Sequence, residues 1–373
     1  MIVGIPKEIA PGERRVSLVP DAISRLKGLS VLVQAGAGEE SGFKDFSYLE
    51  RGAEVAESPK EVYGRSDIVL KVQPPTAEEA DLFKEGSVLI SFLYPMSNLD
   101  VLRRMSSRRM SAFAMELMPR ISRAQPMDAL SSQATISGYK AVLIAANSLP
   151  KLFPMMMTAA GTIPPARVFV IGAGVAGLQA IAVSKRLGAV VEAYDVRPVV
   201  KEQVASLGAK FVELPLKVED SQTAGGYAKA QSEDFYKRQQ QLLGEHAASA
   251  DVVITTALVP GQRAPILISE EAVKKMRAGS VIVDLAAEQG GNCALTEPGK
   301  TVVKYGVTIH GPLNLPSSMA QQASQLYSRN ITSFLLAMLK DGSITIDTKD
   351  ELVRGPLVVL NGEIVHEQAR KAL

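Results

Sequence analysis

Residues 167–195, RVFVIGAGVAGLQAIAVSKRLGAVVEAYD, constrain the fold more tightly than any other stretch of the chain. An apolar run at 168–171 leads into Gly172, Gly174 and Gly177, spaced as G-x-G-x-x-G, and a helix is predicted to start near Val175. Strand, glycine turn, helix and second strand in that order turn a weak motif into a dinucleotide-binding fingerprint. Each glycine stands where a Cβ would obstruct: Gly172 in the tight turn, Gly174 where backbone approaches a pyrophosphate, Gly177 where helix packs on strand. The unpaired N–H groups and positive end of the helix then face the phosphates.

Asp195 closes the second strand, about 20 residues beyond the glycines as the fingerprint requires. Its carboxylate is expected to accept both adenosine-ribose hydroxyls and to repel a 2′-phosphate, so the coenzyme read here is NAD(H) rather than NADP(H). Val196 follows it, and Arg197, two residues on, softens that repulsion.

A chain of 373 residues suggests two domains, because single cores stop growing at roughly 250 to 300 residues. A net charge of +2 without a basic block or arrayed aromatics gives no reason to expect nucleic acid. Cys293 is alone, which excludes an internal disulfide framework and suits a reducing cytosol; with no base adjacent in sequence it reads as structural. The N-terminus, MIVGIPKE, enters a strand at once and has no leader pattern. The most apolar region, 141–163, is interrupted by Asn147, Pro150, Lys151 and Pro154, so no direct membrane insertion is expected. Met155, Met156 and Met157, with Met110, Met115 and Met118, read as adaptable core packing rather than a metal site.

The fold class expected is α/β, with two doubly wound parallel-sheet domains and a cleft between them. Short apolar runs at 2–5, 31–34, 68–72, 88–92 and 112–115, separated by helix-like stretches at 21–26 and 99–105, suit strands buried on both faces. Beyond Asp195, strands are predicted at 210–213, 252–255, 281–284 and 307–309, with crossover helices at 201–207 and 270–276. A helical segment at 138–157 would bridge the domains. A long helix at 317–339 would return to the first, giving domains 1–137 plus 317–373 and 138–316.

Several longer stretches carry a resemblance: GIPKE followed by ERRVSLVP, MELMPRISRAQPMDALSSQ, the glycine fingerprint with YDVRP, GGYAK, and VDLAAEQGGNC. Over nearly its full length the chain resembles the soluble NAD(H)-binding domain I of proton-translocating NAD(P) transhydrogenases, carried on a separate alpha subunit in three-gene bacterial systems. It is more distantly similar to alanine dehydrogenases. The resemblance implies a small set of partners in one assembly: a second copy forming a homodimer, a domain holding NADP(H), and membrane-spanning subunits that move protons, with this chain peripheral on the cytoplasmic face.

The same resemblance implies roles for residues. Arg120 would hold the carboxamide and Asp128, Asp128 would orient the nicotinamide ribose, and Gln125 would reach the incoming NADP(H), with Ser131 completing the polar set; read from the residues alone, Asp128 or Ser131 is a helix N-cap. The segment 224–229, including Gly226 and Tyr227, would be a mobile cover over NAD(H), or an ordinary crossover loop. Thr256, Ala257 and Leu258 would lie near adenosine and ribose, and Val175 and Gln239 are weaker carry-overs. Arg15 and Lys71 match an Arg and a Lys that alanine dehydrogenases place in their cleft, but Tyr94 stands where their His is expected. With a pKa near 10, a Tyr replaces poorly a group that titrates near 7. The runner-up functions are a stand-alone alanine-type dehydrogenase and a non-catalytic NAD-binding protein.

Overall fold

The computed structural model describes residues 1–215, 233–258, 263–340 and 342–373. They divide into two compact units, Met1–Gln133 with Pro316–Leu373, and Ala134–Leu315. Among the described residues the sheet of the first unit has eight strands, in the order Glu363–Ile364, Leu357–Leu360, Ser111–Ala114, Val88–Ser91, Ile68–Leu70, Ile2–Ile5, Ser30–Gln34, Glu54–Ala56. All are parallel except the first two, which add antiparallel at one edge. The central runs are unbroken by polar residues because both faces are covered. Ile68, Leu70, Ile90 and Phe113 enter one core, and Val69, Leu89 and Ala112 the other.

The second unit repeats the plan. Its sheet runs Lys210–Phe211, Val190–Tyr194, Arg167–Ile171, Val252–Thr255, Val281–Asp284, Val307–His310, Thr301–Lys304, parallel but for the last strand. Val168, Val170, Val252, Ile254, Val281 and Val283 pack on one face, and Phe169, Ile171, Val253 and Ile282 on the other. The strand order reverses at Arg167–Ile171, whose neighbours are Val190–Tyr194 and Val252–Thr255. Doubly wound sheets bind ligands at such a switch point, outside the carboxyl ends of the strands.

Two expectations need correction. The helix predicted at 138–157 is Ala129–Ser148. It ends before Leu149 and Pro150, since the residue preceding a proline is pushed out of the helical region. Gly138 lies in its interior, where a Cβ would stand 2.1 Å from the Ala176 carbonyl oxygen; the glycine permits close helix-on-helix packing rather than marking a start. Met155, Met156 and Met157 are not core: they are exposed, at the hairpin Met156–Thr158 and Gly161–Ile163, whereas Met110 and Met115 are buried as expected.

The long helix expected at 317–339 runs Ala320–Met338 within the first unit, burying Tyr327, Ile331, Phe334, Leu335 and Met338. Phe334 meets Phe113 edge-on, ring centroids 5.3 Å apart. Two serines share that buried face: Ser324 Oγ accepts from Val16 N at 3.0 Å and Ser328 Oγ from Val19 N at 3.1 Å. These bonds satisfy buried backbone donors of the irregular segment 14–19.

Candidate functional site

The glycine turn joins strand Arg167–Ile171 to helix Val175–Arg186. Gly172 has φ +95°, which L side chains rarely adopt, and Thr256 Oγ1 donates to its carbonyl at 2.9 Å. A Cβ on Gly177 would stand 1.8 Å from the Gly172 oxygen. Gly174 differs from both. A Cβ there would find nothing nearer than Arg197 Nη2 at 4.0 Å, so the space beside this residue is open to a ligand. Gly174 is the N-cap of the helix and supplies no side-chain acceptor to its first N–H groups, while Val175, first in the helix, is exposed. An open space, uncapped N–H donors and a nearby guanidinium suit a pyrophosphate.

Asp195 follows the next strand and is buried. Its Oδ2 accepts from Ala173 N at 2.7 Å and Arg197 Nη2 at 2.8 Å; its Oδ1 accepts from Arg197 N at 2.9 Å and Nε at 2.8 Å. Arg197 therefore does more than soften a distant repulsion, because it clamps the carboxylate through two parallel bonds. Ribose hydroxyls must share these oxygens or displace the guanidinium. Val196 is half-buried beside the pair. Thr256 and Ala257 are half-buried and Leu258 exposed, just beyond the carboxyl end of Val252–Thr255. Gln239 is buried behind this edge, its Nε2 donating to Tyr194 Oη at 2.9 Å while its Oε1 has no partner among the described residues. Gly226 and Tyr227 lie outside the described residues.

In the first unit, Arg120 and Gln125 are exposed, Gln125 within the 3-10 turn Ser122–Met127. Asp128 caps the helix that follows: its carboxylate accepts from Ser131 N at 2.9 Å and Ser131 Oγ at 2.6 Å. Arg120 precedes the turn that holds Gln125, and Asp128 links that turn to the first turn of the helix, which holds Ser131.

Arg15 and Lys71 are buried and bound to carboxylates of this chain. Arg15 Nε and Nη2 donate to Glu13 at 2.8 and 2.6 Å, and Nη1 to Gln133 Oε1 at 2.9 Å. Lys71 Nζ lies 3.0 Å from Glu79 Oε1 and 3.3 Å from Glu8 Oε2. Tyr94 has φ +44° and is partly exposed, its ring stacked 6.0 Å from Phe92. Burial alone would raise the Glu13 carboxyl, but the Arg15 guanidinium overrides it and holds the group at about 2. A depressed carboxyl stabilises the fold above its ordinary value of 4.5 and loses that contribution as pH falls toward 2. Unfolding titrations are therefore expected to show about 3 kcal/mol less acid-dependent loss between pH 4.5 and 2 in Glu13→Gln than in the parent, measured against each protein's own stability at pH 6. Parallel curves would remove this pair from the acid response.

The alanine dehydrogenase/PNT N-terminal domain matches residues 4–137, and the C-terminal domain of the same family matches 141–367. The chain belongs to the alanine dehydrogenase/PNT family. It is 50% identical over 376 aligned positions to the first part of NAD(P) transhydrogenase subunit alpha of Rhodospirillum rubrum, covering 98% of each chain. It is 46% identical to NAD(P) transhydrogenase subunit alpha of Haemophilus influenzae, covering 97% of this chain and 71% of that one. Among solved structures, the transhydrogenase from Sinorhizobium meliloti superposes with a TM-score of 0.86 at 44% identity, covering 99% of this chain and 100% of that one. An L-alanine dehydrogenase superposes at 0.82 with 26% identity, covering 100% and 98%. The chain thus has the two-domain Rossmann-like α/β fold of this family, and NAD(H) binding is the family property that the glycine turn fits.

Within this alanine dehydrogenase/PNT chain, Asn292 bonds the Ala257 backbone and Asp284 accepts from Asn292 N, two contacts that the stretch VDLAAEQGGNC does not by itself announce. The available signal is an acid closing a buried strand and an asparagine after paired glycines. Cys293 is buried, and desolvation pushes its thiol up to about 11, which makes it inert. Glu288 Oε1 accepts from Asn314 N at 2.6 Å. His310 bonds Ser148 Oγ and Thr301 Oγ1, each at 2.9 Å, and burial lowers its pKa, so it is a satisfied neutral imidazole. Among the described residues no helix is long and apolar enough to cross a membrane.

Proposed function

We propose that this chain is the NAD(H)-binding component of a proton-translocating transhydrogenase, passing hydride directly between NADH and NADP+ held on a partner domain. The observation that carries the reading is the chemistry around Arg15 and Lys71. Both cations already hold carboxylates, Tyr94 takes the position where the alanine dehydrogenase resemblance calls for His, and the one histidine of the first unit, His366, accepts Ala369 N–H as a helix cap. Reducing an imino or keto acid needs a proton as well as a hydride; exchange between two nicotinamides needs none. The names of the 50% and 46% identical relatives support the same reading.

When bound, NADH supplies the hydride. The chain contributes binding and orientation: Gly172, Gly174 and Val175 receive the pyrophosphate on a turn kept tight by the close packing at Gly177, Asp195, Val196 and Arg197 the adenosine ribose, and Thr256, Ala257 and Leu258 the adenosine side. Arg120, Gln125, Asp128 and Ser131 orient the nicotinamide end, where positioning alone contributes up to ~7 to 11 kcal/mol. Gln239 and the segment with Gly226 and Tyr227 support the coenzyme from further out. Proton translocation belongs to membrane-spanning subunits, to which this chain docks as a homodimer on the cytoplasmic face.

The test is a pair of assays on the purified chain. NADH is expected to persist with pyruvate and ammonia, and to be oxidised by NADP+ once an NADP(H)-binding partner domain is added. Oxidation in the first assay alone would establish the alanine-type dehydrogenase; NADH binding with both assays silent would leave a non-catalytic NAD-binding protein. Within the productive assay, Gln125→Asn is expected to slow hydride transfer about tenfold or more while NADH affinity stays within a few fold. Weakened binding with normal turnover would reject that role.

A further inference from the structure

Beneath the lip that carries Thr256, Ala257 and Leu258 lies a fully buried carboxylate, Asp284, at the end of strand Val281–Asp284. Its Oδ1 accepts from Thr255 Oγ1 at 2.9 Å and Ala286 N at 3.0 Å. Its Oδ2 accepts from Asn292 N at 2.8 Å, Cys293 N at 3.0 Å and Thr296 Oγ1 at 2.6 Å. A Cβ on Gly291, which has φ +84°, would stand 2.8 Å from that same oxygen, so the chain wraps the carboxylate too closely for a side chain there. These bonds fix Asn292, itself fully buried. Its Oδ1 accepts from Ala257 N at 3.0 Å, and its Nδ2 donates to Ala257 O at 2.8 Å and Pro265 O at 2.9 Å. One amide thus holds both backbone groups of Ala257. Next to it, Thr256 Oγ1 reaches the Gly172 carbonyl of the glycine turn.

We propose that Asp284 and Asn292 are positioning residues for the coenzyme site: they touch no nucleotide, but they set the height of the Thr256–Ala257–Leu258 backbone and, through Thr256, the Gly172 turn. The carboxylate is the hub and the asparagine the arm. A buried carboxylate with all its acceptor positions used is rigid, and losing a donor or acceptor here leaves buried backbone groups unsatisfied. The proposal rests on the reading of 256–258 as the adenosine side of the coenzyme site, so a ligand lacking nicotinamide is the sharpest probe.

Titration calorimetry with NADH and with ADP-ribose, beside thermal melting, tests it. Asn292→Ala is expected to raise the dissociation constants of both ligands by the same factor, about 10- to 100-fold. Thr296→Val, which removes one of the five donors to Asp284, is expected to raise both about two- to fivefold. Tyr48→Phe, which removes a buried bond to Leu18 O in the first unit, is the comparison: its melting temperature falls and its affinities stay. Folded Asn292→Ala with a lowered melting temperature but unchanged ADP-ribose affinity would overturn the proposal, since a merely structural role predicts that result. Should Asn292→Ala fail to fold, Thr296→Val decides by the same criterion. A parent chain that binds neither ligand would overturn the coenzyme reading itself, and the positioning role with it.

Discussion

Gly177→Ala is expected to abolish useful NADH binding, raising the dissociation constant about 100-fold or more, and to lower stability by about 1 to 3 kcal/mol. The added Cβ would fall 1.8 Å from the Gly172 carbonyl oxygen, with Thr256 Oγ1 at 3.3 Å, so no rotamer change relieves the clash. The helix Val175–Arg186 must move away from its strand, and with it the N–H groups of the turn. Gly174→Ala is the informative contrast, because its Cβ would meet nothing nearer than Arg197 Nη2 at 4.0 Å. The parent fold is expected to survive that change while NADH binding weakens. Binding titrations and melting curves on both variants check this. Equal loss of stability in the two would mean that Gly174 is held by packing and not reserved for a ligand.

Lys71→Met is expected to cost about 3 to 5 kcal/mol, since it strands two buried carboxylates, Glu8 and Glu79, without their cation. Glu79 keeps Tyr63 Oη at 2.6 Å and Thr76 N at 2.9 Å, and Glu8 keeps Val72 N at 2.5 Å, but neither retains a positive neighbour at contact distance. Burial already raises the Glu8 carboxyl even with Lys71 present. A raised carboxyl favours the fold below its ordinary value and opposes it as pH climbs, so the deficit should be smaller at pH 5 than at pH 8. Denaturant titrations at both values measure this. NADH affinity is expected to stay within a few fold, and a variant with unchanged stability would show that Lys71 is not the keystone of this cluster.

Elements with a strict local signature are legible in the sequence. Buried parallel strands read as unbroken apolar runs, and Val252–Thr255 and Val281–Asp284 have the bounds expected from them. The glycine turn is readable because its three glycines keep a fixed spacing between an apolar strand and the helix that follows. What stays hidden depends on distant partners or on polarity that disguises an element. The helix Ala129–Ser148 begins in a serine-rich stretch and contains Gly138, so its first turns read as loop. Helix Glu233–Ser249 is polar over most of its length and buries Leu243 and Ala247, too few apolar positions to show a period. The antiparallel strands Thr301–Lys304 and Leu357–Leu360 have no crossover helix to announce them. Arg197 is near Asp195 in sequence, yet only the fold reveals its two-bond grip on that carboxylate. Asn292 is further out of reach, for its contacts lie at Ala257 and Pro265.

If the second unit holds NAD(H) at the Gly172 turn, with Asp195 selecting the unphosphorylated ribose, coenzyme preference is the quantity to measure. Competitive titration of the parent chain with NADH and NADPH at fixed, moderate ionic strength measures it directly. Saturable NADH binding is expected, with NADPH at least about tenfold weaker, and a narrowing of that gap in Asp195→Asn, where the like charge is gone. Equal or tighter binding of NADPH by the parent chain would contradict this, because the Arg197 clamp would then be presenting a phosphate site and not screening a ribose one.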